Sequence, residues 1–137
     1  AIAAEARRRI REFDPQELAN TVWAFAAAGV VARPLFEAVA AEARRRIRDF
    51  NLQGMVNTLW AFATARLPAQ TLFEAIATEA LPQIREFTSQ DVANTVWAYA
   101  TAGLVAQPLF EAIAAEALGR ICEFETQNLA NTVWAFA

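Results

Sequence analysis

Trp23, Trp60, Trp97 and Trp134 stand 37 residues apart, and the same step links Phe13, Phe50, Phe87 and Phe124, then Gln16, Gln53, Gln90 and Gln127, then Asn20, Asn57, Asn94 and Asn131. A register that holds over four units constrains the fold more than any other feature. Periods of this size belong to stacked supersecondary units, each of which buries its apolar face only against its neighbours. The 137 residues hold whole units at 13–49, 50–86 and 87–123 and partial ones at 1–12 and 124–137. They read as one array over 1–137, and the partial units mark it as a fragment of a longer protein.

Each unit reads as two helices. The first, helix A, runs near Pro15 to Ala28: Asp14 is placed as N-cap, Pro15 at the first helical position and Glu17 at the third, a capping box. Phe13 and Leu18 have the spacing of a hydrophobic staple, repeated as Phe50/Met55, Phe87/Val92 and Phe124/Leu129. Gly29 and Gly103 stop helix A in two units, and Arg66 takes that place in the middle one. Helix B follows from about Pro34 to Arg48. No strand pattern is visible, so the expected class is all-α, an α-solenoid of stacked helical hairpins.

At helical spacing, Leu18, Ala19, Val22, Phe25 and Ala26 share one side of helix A with Trp23 at its margin, and Leu35, Phe36, Val39, Ala43 and Ile47 form the stripe of helix B. With 56% apolar and 20% charged residues there is ample material for a continuous core. The longest apolar run, Val22 to Ala32, is too short for a membrane span.

The chemistry of the side chains argues against an enzyme. His and Lys are absent, all 12 basic residues being Arg, and Cys122 is the only cysteine. The usual general bases are missing, and no disulfide or cysteine metal cluster can form within the chain. No catalytic residue, metal site, cofactor or small-molecule substrate is therefore expected.

What remains is a binding surface. Glu17, Asn20, Ala24 and Ala27 form a stripe on helix A away from its core side, matched by Gly54, Asn57, Ala61 and Thr64, by Asp91, Asn94, Ala98 and Thr101, and by Asn128, Asn131 and Ala135. Asn and Ala are constant, whereas the first position is Glu, Gly, Asp and Asn in turn. That variation suits a reading position, although surface drift gives the same pattern. The Asn ladder is either a ligand contact or a set of amides tying repeat to repeat. The recurring Trp is either a platform for unpaired bases or the core plug of each hairpin. The plug is the simpler reading, so Trp23, Trp60 and Trp97 are expected largely buried. Arg7, Arg8, Arg44, Arg45 and Arg48 are candidate phosphate ligands. They also fall in the last turn of helix B, where cations suit the helix dipole and where Glu5/Arg9, Glu42/Arg46 and Glu116/Arg120 have ion-pair spacing. Residues 1–68 hold ten Arg against seven acids, and residues 69–137 two Arg against eight, so only the first half suits a polyanion.

The segments FDPQELANTVWAFAAAG, FTSQDVANTVWAYATAG and FETQNLANTVWAFA, each joined to an LFEA-type helix, resemble the octotricopeptide repeat family over essentially the whole chain. The period of 37 departs from that family's nominal 38, as do Gly54, Val56 and Arg66 in the middle unit. The family is related to RAP-domain and FAST-kinase-like organellar RNA-binding proteins. The resemblance implies a helical-repeat protein of the mitochondrion or chloroplast that binds single-stranded RNA through its inner helix-A face and acts on transcript maturation, stability or translation. Glu17, Asn20, Gly54, Asn57, Asp91, Asn94, Asn128 and Asn131 would then meet bases. The alternative is a structural or assembly subunit of a large organellar complex such as a ribosome, with protein partners.

Overall fold

A computed structural model describes residues 2–67 and 69–119, and all of their regular structure is helical. Seven α-helices appear among them: α1 (Ile2–Arg8), α2 (Pro15–Ala27), α3 (Arg33–Arg45), α4 (Leu52–Ala65), α5 (Gln70–Ala80), α6 (Ser89–Ala102) and α7 (Gln107–Gly119). Short 3₁₀ turns at Ile10–Glu12, Ile47–Asp49 and Leu81–Glu86 lead into α2, α4 and α6. Helix B therefore ends earlier than its apolar pattern suggests. In the first whole unit α3 stops at Arg45, and Ile47 reaches the core from the separate turn that carries Arg48.

The A helices start on side-chain caps. Asp14, Asn51 and Thr88 each accept the N–H of the residue three further on, Glu17, Gly54 and Asp91, at 2.7, 2.7 and 3.0 Å. In the first and third units Glu17 and Asp91 return the bond to the cap's own N–H, completing the box, while Gly54 has no side chain with which to do so. The A helices end alike. The N–H groups of Val30, Leu67 and Leu104 reach back to the carbonyls of Phe25, Phe62 and Tyr99, with Gly29, Arg66 and Gly103 in the left-handed region between.

Packing sorts the helices into two layers. In one, α2 lies against α4 and α4 against α6; in the other, α1, α3, α5 and α7 follow one another. The core between the layers is built from the residues expected on both helices, among them Leu18, Val22, Leu35, Phe36, Val39, Ala43 and Ile47, all buried. Phe25 is half-buried against it. Phe36 meets Phe62 and Phe73 meets Tyr99 edge-on, at 5.2 and 5.1 Å between ring centres. Burial pushes the Tyr99 hydroxyl above its ordinary pKa, a backbone hydrogen bond at Ala77 opposes the shift, and the hydroxyl donates to the Phe73 carbonyl.

The A layer is the tighter one. Ala19, Ala26, Gly54, Ala61, Ala63 and Ala98 fill its seams, and a Cβ placed on Gly54 would sit 3.9 Å from that of Ala19. Side chains this short let helix axes approach to the lower end of the usual ~8–10 Å. The B layer is more open. Grooves of about 550 and 430 Å³ run along it, one lined by Phe36, Arg44 and Phe62, the other by Phe73, Tyr99 and Val105.

The indole positions depart from expectation. Trp23 is exposed, and Trp60 and Trp97 are only half-buried, so none of the three is a core plug. Tyr99 and the Phe residues of the core take that role, because they project toward the B layer whereas the indoles project the opposite way.

Candidate nucleic-acid interface

Helix A is enclosed on three sides. In α4, Met55, Leu59 and Phe62 turn toward the B layer, Gly54, Thr58 and Ala61 toward α2, and Val56 and Ala63 toward α6, and all eight are buried. The remaining strip carries Gln53, Asn57, Trp60 and Thr64, which fall within about 60° of one another at ~3.6 residues per turn. Gln53 is exposed and the other three are half-buried. The same strip recurs on α2 as Gln16, Asn20, Trp23 and Ala27, all exposed, and on α6 as Gln90, Asn94, Trp97 and Thr101.

This corrects the stripe expected from the sequence. Asn20, Asn57 and Asn94 do face outward, but Gly54 and Asp91 are buried in the seams between A helices, as are Ala61 and Ala98. The variable position is the third residue of a helix, where Glu17 and Asp91 close capping boxes by accepting the N–H groups of Asp14 and Thr88 at 2.9 and 3.1 Å. Glu17 is exposed because no A helix among the described residues covers that side of α2. The expected stripe was centred too far round the helix, in the direction of the preceding unit. Asn128 and Asn131 lie outside the described residues, as do Trp134 and Cys122.

Within the strip the amides of α4 and α6 are paired. Gln53 Nε2 donates to Asn57 Oδ1 at 2.9 Å, and Gln90 Nε2 donates to Asn94 Oδ1 at 3.0 Å. The Trp23 and Trp60 rings lie 6.0 Å apart, centre to centre, tilted by 34°. The sequence signal for this face was already present in the i, i+4 spacing of Gln and Asn and the +3 step from Asn to Trp. Missing was the knowledge that neighbouring A helices occlude both flanks.

The arginines belong to the B layer and its turns. Arg8 pairs with Glu5 at 3.4 Å and Arg9 with Glu12 at 2.9 Å, in place of the expected Glu5/Arg9 contact. Arg48 lies 3.7 Å from Glu79 of the next unit, and Arg45 is bound to Glu42. Arg7 and Arg44 are exposed, Arg44 on the rim of the groove between α3 and α5. Glu42 is buried; its hydrogen bond from Arg45, with the charges of Arg45, Arg46 and Arg11, holds its carboxyl below the usual pKa against the pull of burial. Arg46 lies 3.6 Å from Glu42 and also donates to the carbonyl of Phe13, tying the end of the unit to its start. Arg120 of the expected Glu116/Arg120 pair lies outside the described residues. No helix among the described residues is long and apolar enough to cross a membrane.

The chemistry of the A face is thus uncharged, aromatic and amide-rich, and it repeats from unit to unit. Residues 1–137 match the model of a protein family described as RNA-editing substrate-binding complex 6 protein. No curated protein matches the chain.

Proposed function

The chain belongs to the RNA-editing substrate-binding complex 6 protein family, and from that membership we propose that it is an RNA-associated helical subunit that binds single-stranded RNA along the open face of its A layer. One observation carries the reading. The exposed strip of helix A repeats the same Gln, Asn and Trp on α2, α4 and α6, and a surface that repeats is complementary to a polymer whose own unit repeats. Arg7 and Arg44, with Arg8, Arg45 and Arg48 where their ion pairs open, add attraction for phosphate that is independent of sequence. The finer reading, an octotricopeptide-like protein acting on transcripts in a mitochondrion or chloroplast, is supported by the signature from Phe13 through Trp23 to Gly29.

A second reading has its own support. The eight acids against two Arg in residues 69–137 disfavour a polyanion there, and suit a protein partner in an editing or other organellar assembly, with the chain as scaffold. The two are separated by filter retention of single-stranded RNA by the full-length protein at low salt. Retention that weakens severalfold in the Asn57→Ala/Asn94→Ala double variant supports the RNA face. No retention by the intact protein leaves the scaffold.

A further inference from the structure

Trp23 is 45% exposed and takes no part in the core, while Trp60 and Trp97 rest half-buried at its edge. Single exposed apolar residues are ordinary. A file of three indoles on successive helices, two of them 6.0 Å apart, is not a scatter of single residues. Their neighbours in the strip are amides whose mutual hydrogen bond consumes one acceptor and one donor. With Asn57 Oδ1 taken by Gln53 Nε2, the pair presents the Asn57 N–H groups as donors and Gln53 Oε1 as acceptor, and Asn94 with Gln90 does the same.

We infer that Trp23, Trp60 and Trp97 are stacking platforms for unpaired nucleobases, one per repeat, those on α4 and α6 flanked by amide pairs that accept any base. The inference rests on the RNA reading of the A face and specifies its mode. Every base has a π-face, so stacking on an indole tolerates sequence. Every Watson–Crick edge carries both a donor and an acceptor, so one donor and one acceptor per repeat complement each base without choosing among them. Gln, Asn and Trp are identical on α2, α4 and α6 and carry no code, the strip's fourth residue changes only between Ala27 and the threonines Thr64 and Thr101, and the position that differs in every unit is buried in the seams of α4 and α6. Nor does the strip carry charge. Its contribution to affinity is therefore separable from that of the arginines, since only phosphate neutralisation releases counterions.

The test uses the full-length protein with 12-mers of rU and rA, a duplex RNA of equal length and an abasic ribose-phosphate 12-mer, titrated at several salt concentrations. Trp23→Ala is the principal variant, because its ring is outside the core and the melting temperature should stay at the parent value. Trp60→Phe, which keeps an aromatic face, controls for packing. Expected are similar affinities for rU and rA, weak binding of duplex and abasic strands, and a loss on Trp23→Ala of roughly 5- to 150-fold, the range set by one stacked base. The loss should be equal for both sequences, with the salt slope unchanged and binding retained by Trp60→Phe. RNA binding that Trp23→Ala leaves intact, or weakens for one sequence only, overturns the stacking inference while the RNA reading stands. No RNA bound by the parent protein sinks the RNA reading itself. Trp23→Ala that releases a protein partner and spares RNA makes the strip a protein interface and overturns the inference.

Discussion

Arg66 holds φ at 57°, in the place where Gly29 and Gly103 take 73° and 71° in the flanking units. A side chain in the left-handed region costs about 1–2 kcal/mol that glycine avoids. Arg66→Gly should therefore stabilise the protein by about 0.5–1 kcal/mol after the larger unfolded-state entropy of glycine is deducted, read as a raised denaturation midpoint. An unchanged or lowered midpoint would show that the arginine side chain offsets its own strain. The same scale of reasoning explains the indoles. Phe62 and Trp60 are two residues apart, and about 200° separates them on a helix at ~3.6 residues per turn. The chain cannot bury both in one core, and the edge-on fit of Phe62 to Phe36 decides which goes in.

At the scale of the element, the sequence was informative wherever one neighbour decided the outcome. Caps, staples, turn glycines and the apolar stripe of helix B depend on contacts within a unit; Asp14, Phe36 and Val39 stand where their spacing places them, and Asn51 and Thr88 cap the later units one and two periods after Asp14. The face of helix A was less legible, because it depends on how adjacent units lean together. Glu17, Gly54 and Asp91 varied like surface positions, yet at the third residue of a helix the same variation expresses three ways of ending a capping motif. Asp91→Ala should cost about 0.5–2 kcal/mol, the usual worth of a cap interaction, and leave any RNA sequence preference untouched. Chemical denaturation beside a selection from randomised RNA reads both; a changed preference at constant stability would restore the reading position.

Over the whole molecule, the units are joined by more than apolar contact. Arg48 lies 3.7 Å from Glu79 of the next unit, and within its own unit Arg46 joins Glu42 to the Phe13 carbonyl, whereas Gln83 at the matching place in the next unit bonds only the Glu79 carbonyl. Because the Glu42 carboxyl is held below its ordinary pKa, its ion pairs contribute stability that is fully present above the unfolded value of about 4.3 and lost as pH falls through the lower folded value. The parent should thus melt higher than Glu42→Gln near neutrality, and the gap between the two should narrow as pH falls below the unfolded value of about 4.3. A gap constant with pH would mean that packing, not charge, sets the difference. The seam of the A layer has one more consequence. With Gly54 set against Ala19, a Cβ on Gly54 would meet Ala19 at 3.9 Å, so the two helices approach almost backbone to backbone and the step from unit to unit is set by the main chain more than by long side chains. Whatever lies along the row of indoles therefore meets a pitch that main-chain packing lays down.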